Sequence, residues 1–203
     1  MERRDGQESR DERFDAANLE EADFRNCRFA RCSFRGAILT GATTRNCTFD
    51  ECDFTVARLN ASSHENSAFT NSSFRGARLF GAAFHGCKLV GAGFPEADLS
   101  ALTVVGGDWS YTNLRFQELK GRKLRGVRFV EADFYECNLE KTDLREADLT
   151  HANLDRARLG GADLRGAILD GVDLKALDLR RVRLDISQAV VLARSLGALV
   201  ELD

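Results

Sequence analysis

The sequence predicts a solenoid, a chain wound into a closed coil that turns a corner every five residues. Three observations lead to this prediction. A large apolar residue recurs at every fifth position from Phe14 to Leu184, a small residue stands two positions before most of them, and glycine often stands two positions after. A period of five matches neither the alternation of a strand nor the turn of a helix, so the chain must bend at short, regular intervals.

The register of the repeat is unbroken. Of the 35 positions in this series, 19 are leucine and 12 are phenylalanine, and only Thr44 and His64 are polar, so no insertion shifts the phase. We expect the large residue to fill the axis of the coil and the small residue to point inward beside it, where bulk would collide with the next layer. Glycine after the centre suits a corner with positive φ, a position that Asn or Asp can share.

The number of corners in a coil follows from the spacing of like residues. At intervals of twenty the centres form one column that contains only leucine and a second that begins with five phenylalanines, which indicates four faces per coil. The leucine column is Leu19, Leu39, Leu59, Leu79, Leu99, Leu119, Leu139, Leu159 and Leu179. With the usual spacing of ~4.8 Å between strands, nearly nine coils would form a rod of about 40 Å.

The five-residue unit, A(D/N)LXX in idealised form, resembles that of the pentapeptide-repeat family over roughly residues 12–186. The resemblance implies an all-β solenoid, a right-handed quadrilateral β-helix with a short C-terminal helix for capping and dimerisation. We expect residues 1–12 to form a charged, flexible N-terminal extension, residues 13–185 to form the β-helix, and residues 186–203 to form the C-terminal helix and tail.

The C-terminal segment changes from the five-residue period to a helical one. Apolar residues recur at helical spacing from Ile186 to Leu196, Asp185 or Ser187 can serve as the N-cap, and Gly197 can end the helix. One helix that covers the last coil and keeps further apolar surface predicts a second copy across a two-fold axis. The residues predicted at this dimer interface are Ile186, Val190, Val191, Leu192, Leu196 and Leu199.

The pattern Asp185-x-x-Gln188-Ala189-x-x-Leu192-x-x-x-Leu196-Gly197 resembles the ending of Qnr and MfpA proteins. The absence of phase-shifting loops makes the chain more similar to the loop-free MfpA type. This resemblance implies a C-terminally joined dimer that mimics DNA in shape and charge, binds DNA gyrase and confers tolerance to fluoroquinolones.

Residues 102–127 keep the period but lose most of the small inward residues, with Leu102, Gln117 and Arg122 among the replacements. A buried, unpaired Arg122 would be costly, so one interpretation is a distorted coil with these side chains turned outward. The other is a bulged contact surface, where Tyr111 and Phe116 lie exposed among several basic residues.

Other residues that could support chemistry have structural explanations. We expect Thr44 and His64, twenty positions apart, to hydrogen-bond each other inside the coil. All six cysteines occupy the small inward position, which favours core packing in a reducing compartment over a zinc site. Neither the three scattered histidines nor the glycines form a catalytic or phosphate-binding pattern, so no enzyme, cofactor or metal is predicted.

Charge and hydropathy exclude some partners. The formal net charge is −3, with 29 basic and 32 acidic residues, and no apolar run approaches the length of a membrane span. A cytoplasmic protein without a signal peptide is expected, and direct binding of nucleic acid through the basic segment 115–128 is not, because the rest of the rod would repel DNA.

An acidic band, defined as the eight acids between residues 131 and 155, is the predicted partner-binding surface. It lies toward the end predicted to dimerise, so two copies would join their bands, and a rigid acidic rod could occupy a basic groove built for DNA. Its members are Glu131, Asp133, Glu136, Glu140, Asp143, Glu146, Asp148 and Asp155.

The hypothesis is therefore a gyrase-binding DNA mimic that protects the enzyme from fluoroquinolones or natural poisons. The alternative is an interaction scaffold for an unrelated protein, since a fold of this kind hosts several functions.

Overall fold

Small and large inward residues alternate along the chain, and their alternation produces a right-handed quadrilateral β-helix in the computed structural model, which describes residues 3–201. Each coil takes twenty residues, because parallel pairing joins positions twenty apart from Arg3↔Asp23 to Asp163↔Arg183. The four faces are named here after their first large apolar residue: the Phe14, Leu19, Phe24 and Phe29 faces.

Regular strands occupy two faces. The Phe24 face carries a six-stranded parallel sheet in the order β1-β3-β5-β7-β8-β9, and the Phe29 face a three-stranded sheet in the order β2-β4-β6; isolated parallel bridges continue the ladders elsewhere. The strands are β1 (Arg3–Asp5), β2 (Glu8–Arg10), β3 (Asp23–Arg25), β4 (Arg28–Ala30), β5 (Thr43–Arg45), β6 (Thr48–Asp50), β7 (Ser63–Glu65), β8 (Ala83–His85) and β9 (Thr103–Val105). A 3-10 turn (Leu174–Ala176) and the helix α1 (Ile186–Ser195) follow.

The predicted columns are present. On the Phe14 face the rings of Phe14 and Phe34 stack with centroids 4.9 Å apart, and the stacking continues to Phe94 at 4.9–5.0 Å. Every leucine of the Leu19 face is buried except Leu179, which is partly buried against the core. The columns of like residues therefore run parallel to the axis, as the spacing of twenty predicts.

The corners have the left-handed backbone expected of them. Every fifth residue from Gly6 to Gly171 has positive φ, and Ala, Glu, Arg and Asn share these positions with glycine. At Gly91 an added Cβ would lie 2.3 Å from Oδ1 of Asn71 in the preceding coil, so the Asn71 side chain would have to move. Corner geometry thus belongs to the repeat itself and does not depend on glycine at most corners.

The six cysteines are free and buried, as predicted for core packing. Burial raises the pKa of Cys47 to about 11 and that of Cys52 to about 12, because a thiolate there would lose its hydration.

The predicted boundary at residue 13 is wrong. Residues 3–12 are part of the first coil, since β1 and β2 pair in parallel with β3 and β4. Residues 1–2 lie outside the described chain. In this coil Arg4 and Ser9 replace the large apolar centres, which is why the sequence pattern did not include it. The Arg4 guanidinium lies 5.8 Å and 5.7 Å from the ring centroids of Phe14 and Phe24, so a cation–π contact closes the end of the core.

Thr44 and His64 hydrogen-bond each other, as predicted. Nδ1 of His64 lies 2.9 Å from Oγ1 of Thr44, and Nε2 lies 2.9 Å from Oγ of Ser62. Complete burial lowers the pKa of His64 to about 3, because the imidazolium would lose its hydration inside the coil. His64 is therefore a neutral core residue with both ring nitrogens satisfied.

The outward orientation predicted for residues 102–127 is also wrong. Leu102 and Gln117 are buried and point inward; Nε2 of Gln117 donates to the Phe94 carbonyl at 2.8 Å. The Nε of Arg122 is buried, with no hydrogen-bond partner in the part of the chain that the structure describes. The added bulk is accommodated by separation of two coils. The opening between residues 96–106 and residues 116–126 is called the central seam below.

Helix α1 closes the C-terminal end of the solenoid. Asp185 is the N-cap and forms a capping box with Gln188, and Gly197, just beyond the helix, has a φ of 90°. Gln188 is buried, and its Nε2 donates to the carbonyls of Leu164 and Ala167 at 2.5 Å and 2.8 Å. The first turn of the helix thus satisfies backbone groups that a further coil would otherwise pair.

The cysteines predict a simple chemical property. In the native protein we expect no reaction of the thiols with dithiobis-nitrobenzoate at pH 8, because all six are buried and burial raises the pKa of five of them. In urea all six should react within the mixing time. Rapid stoichiometric modification of the native protein would contradict this packing.

His64 predicts a pH dependence of stability. Its folded pKa of about 3 lies below the ordinary value of 6.5, so its contribution is complete above pH 6.5 and is lost as the pH falls, because only the unfolded chain takes up the proton. The free energy of unfolding in urea should decrease by about 2 kcal/mol between pH 7 and pH 5 from this group. H64F should remove that decrease, whereas H85F, at an exposed histidine, should retain it. An equal dependence of the free energy of unfolding on pH in both variants would contradict the assignment of the decrease to His64.

Candidate partner-binding surface

The acidic band surrounds the rod. Four of its acids lie on the Phe14 face or at its edges, near the level of the buried Phe134. The other four occupy the remaining three faces. The four on or beside the Phe14 face are Glu131, Asp133, Glu136 and Asp155. The other four are Glu140, Asp143, Glu146 and Asp148. The structure therefore brings half of the predicted site residues to one side and distributes the rest around the coil.

Six of the eight carboxylates of the acidic band are ion-paired, four of them with basic residues of the preceding coil. Lys120 Nζ lies 2.7 Å from Glu140, and an Arg128 nitrogen lies 3.6 Å from Asp148; each of these pairs is twenty residues apart. Further pairs are Arg115–Asp133, Arg125–Glu146, Arg156–Glu136 and Arg145–Asp143. The basic run and the acidic run, which are separate in the sequence, are thus stacked one above the other.

The order of charges along the chain does not predict this pairing, which follows only when residues twenty apart are compared. Hydrogen bonds from Lys120 and Arg125 lower the pKa of Glu140 and Glu146, so both acids stay ionised but partly neutralised. Exposed pairs of this kind add little stability, yet they reduce the field that a partner meets.

Two acids of the band form no ion pair with any residue of the described chain: Glu131 and Asp155. Both are exposed. The Glu131 carboxylate accepts a hydrogen bond from the Tyr111 hydroxyl at 3.2 Å. These two acids carry the part of the predicted negative surface that is not internally balanced.

An aromatic cluster lies beside them. Tyr111 and Phe116 are 54% and 61% exposed, as expected of the contact surface, and Phe116 meets Tyr135 edge to face with centroids 5.7 Å apart. The Arg115 guanidinium lies 4.3 Å from the Tyr135 centroid, within cation–π range. Exposed aromatic rings held by arginine are typical of interface anchors.

The predicted dimer residues fall into two groups. Ile186, Val191, Leu196 and Leu199 are exposed, Leu199 almost completely. Val190 and Leu192 are half-buried, and Leu192 packs against the core of the last coils. Leu192 thus anchors the helix to its own coil, and the exposed group is the surface left for a partner.

Comparison with protein-family models identifies eight copies of the pentapeptide repeat, in residues 17–55, 57–94, 112–150 and 147–185. The chain belongs to the pentapeptide-repeat family. The residues between the second and third matched segments, 95–111, include the upper side of the central seam and its large inward residue Leu102. No curated protein matches the chain.

Among solved structures, the chain is similar in fold to two trypsin-treated variants of QnrB1, described as a plasmid-mediated fluoroquinolone resistance protein. The first has a TM-score of 0.87 at 24% identity, covering 98% of this chain and 100% of the other; the second has 0.85 at 24%, covering 97% and 99%. Full-length QnrB1 gives 0.66 at 22% identity, covering 97% and 100%. This likeness is one of fold, and it extends over almost the whole length of both chains.

The described residues contain little that could support catalysis. Within residues 3–201 no group of three or more His, Cys, Asp or Glu side chains could hold a metal ion, and no helix combines the length and apolar character that a membrane crossing needs. His64 is sealed in the core, whereas His85 and His151 lie exposed. The surface of this pentapeptide-repeat rod is its main feature for recognition.

Proposed function

We propose that this protein binds DNA gyrase and protects it from fluoroquinolones or natural topoisomerase poisons. The observation that carries the proposal is the fold likeness to QnrB1, a fluoroquinolone resistance protein, along the full length of both chains. The match covers 98% of this chain, whose C-terminal residues resemble the ending of Qnr and MfpA proteins.

The rod has the mechanical properties that a DNA substitute needs. Ladder bonds and stacked rings hold successive coils together, so side chains at a given height keep fixed relative positions. Two such rods joined end to end would approach 80–90 Å by the spacing of strands, comparable to a stretch of duplex. A cytoplasmic location would be required to meet gyrase and is part of the proposal.

Fewer unpaired acids remain on the surface than the sequence suggested. Because most acids of the band are ion-paired, the proposal assigns steering by a basic groove chiefly to Glu131 and Asp155, with the adjacent Tyr111 and Phe116 as anchors. Direct binding of nucleic acid is disfavoured further, since four basic residues of segment 115–128 are balanced by acids: Arg115, Lys120, Arg125 and Arg128.

The alternative, a scaffold for an unrelated protein, is favoured by the ion pairing of the surface charges. A surface whose charges are internally paired presents less of a DNA-like field, and exposed aromatic residues would suit an ordinary protein interface. Protection of gyrase from a poison is expected of the first function and not of the scaffold.

A supercoiling assay tests the proposed function. With purified gyrase and ciprofloxacin, increasing amounts of the protein should restore supercoiling and reduce drug-stabilised cleavage. No shift in the drug concentration needed for half inhibition, together with no capture of either gyrase subunit, would contradict gyrase binding.

A pair of matched variants tests the acidic mechanism. E131Q/D155N removes two unpaired charges without freeing an arginine, and it should weaken protection about tenfold because steering is lost. E20Q/E21Q makes the same change in charge at exposed positions near the other end and should act as wild type. Substitution of Asp133, Glu136, Asp143 and Asp148 is less informative, since it also removes an ion pair from four arginines. Equal activity of both double variants would exclude the acidic mechanism.

Dimerisation through α1 is part of the same proposal. Exposed apolar residues on one short helix favour a second copy, which would cover them across a two-fold axis. We expect a dimer mass in light scattering at micromolar concentration.

The variant I186E/L199E should be monomeric, since charges would be buried at the interface. An acid at 186 lies in the first turn of α1, where the helix dipole favours it, so folding should be retained. F80E, at an exposed residue of the rod, is the control and should remain dimeric. A monomer mass for the wild-type protein would rule out this interface.

A further inference from the structure

The central seam interrupts the backbone ladder on two adjacent faces. Leu79 N donates to Asp98 O at 2.9 Å, and Leu119 N donates to Asn138 O at 2.9 Å, but among the described residues Leu99 N has no acceptor in the coil that follows. The Leu19 face is therefore open at this level.

The Phe24 face is open at the same level. Leu124 N donates to Asp143 O at 2.8 Å, whereas Val104 N and Lys123 N make no corresponding ladder bond within residues 3–201. The parallel bridges show the same gap, since position 103 pairs only with position 83, and Lys123 only with Asp143. On the other two faces the same two coils remain joined, through Phe94 N to Asn113 O and Trp109 N to Arg128 O.

The seam opens because large side chains stand at the small inward position. Gln117 and Arg122 lie where alanine or cysteine stands in most coils, and Leu102 faces them from the coil before. Two coils cannot approach to the spacing of strands around such bulk. Cavities of about 580 Å³ and 270 Å³ lie along the opening, the first beside Pro95 and Phe116, the second beside Arg122.

Both edges of the seam keep the geometry of the repeat. Corners at Glu96, Ala101, Phe116 and Gly121 have positive φ, as in every closed coil, so the segments between them remain extended. Each edge thus presents backbone donors and acceptors at the positions of a parallel ladder, without a strand to receive them. Unpaired, extended edges of this kind bind added strands.

A second opening at the C-terminal end differs in this respect. The bonds from Leu154 N and Leu159 N to the next coil are missing there among the described residues, beside the larger inward residues Val172 and Leu177. However, its lower edge contains the 3-10 turn Leu174–Ala176 in place of extended chain. Only the central seam offers two extended edges.

Charge indicates which segment would enter. Lys123 and Arg122 form no ion pair within the described chain. The half of the facing edge opposite them, residues 101–106, carries no charged side chain, whereas the other half carries Glu96 and Asp98. Lys120 and Arg125 add positive charge nearby, although each is paired with an acid of the next coil. An extended segment with acidic residues toward its C-terminal end would match a parallel orientation between the two edges.

We propose that the central seam binds an extended, acidic peptide segment of a partner protein as an inserted parallel strand. Main-chain hydrogen bonds to both edges provide affinity, Phe116 and Pro95 contact an apolar side chain, and Lys123 with Arg122 selects acidic ones. Binding in the seam does not require that partner to be gyrase.

Fluorescence anisotropy with a defined probe tests this proposal. The probe is a short, end-blocked fluorescent peptide that alternates threonine and valine in its first half and glutamate and valine in its second. It should bind the wild-type protein saturably, and a peptide with lysine in place of glutamate should bind at least tenfold more weakly.

Two variants separate seam binding from nonspecific attraction. Q117A/R122A restores small inward residues, so the coils should close, Tm should rise, and peptide binding should be lost. K123E should weaken binding about tenfold and leave Tm unchanged, because Lys123 has no ion pair to lose. The control K141E changes an exposed lysine in the next coil and should bind the peptide as the wild-type protein does.

Absence of saturable binding by the wild-type protein would overturn the proposal, as would undiminished binding by Q117A/R122A. Equal effects of K123E and K141E would overturn the role of charge at the seam. Gyrase protection that survives in Q117A/R122A would leave the proposed function intact, so the two ideas can fail separately.

Discussion

The size of the side chain two residues before each large centre controls this structure. Coils stack at the spacing of β-strands where that inward position holds Ala, Ser, Cys or a residue of similar volume, because it lies directly against the layer below; the larger Val127 is accommodated where Gly107 stands in the coil before it. Where the condition holds, backbone bonds, ring stacking and leucine columns all form together. Where it fails, at Gln117 and Arg122 and again at Leu177, the layers separate and the ladder opens.

Once the coils are stacked, residues twenty apart become neighbours, and the charge pattern of the surface is decided by that interval. Lys120 meets Glu140 and Arg128 meets Asp148, so a strongly basic stretch and a strongly acidic one largely cancel. Apart from the central seam, the surface that remains for a partner is small: two unpaired acids, an aromatic cluster and the exposed side of α1. A rod of modest net charge can still be specific through these features, because the rigid core fixes their positions.

Much of the interior was predictable, since the five-residue period and the spacing of twenty depend only on sequence positions. The leucine column, the phenylalanine stacks, the buried cysteines and the Thr44–His64 hydrogen bond all follow from them. The first coil was not predictable in the same way, because Arg4 and Ser9 break the apolar rule while the backbone continues to pair. At Gln117 the identity of the residue indicated an irregularity, but whether the side chain turns outward or the coils separate depends on packing that the pattern does not encode. The acids of the band are close in the sequence but are distributed around the coil, and the neutralisation of most of them follows from comparing charges at the coil period.

Native-state hydrogen exchange tests the role of the small inward residue most directly. The amides of Leu99 and Val104 should exchange in the folded protein far faster than those of Leu79 and Leu119, which occupy equivalent positions in closed coils. In Q117A/R122A the two groups should become equally protected. Strong, equal protection of all four amides in the wild-type protein would show that the coils close despite the large side chains, and the account would be wrong.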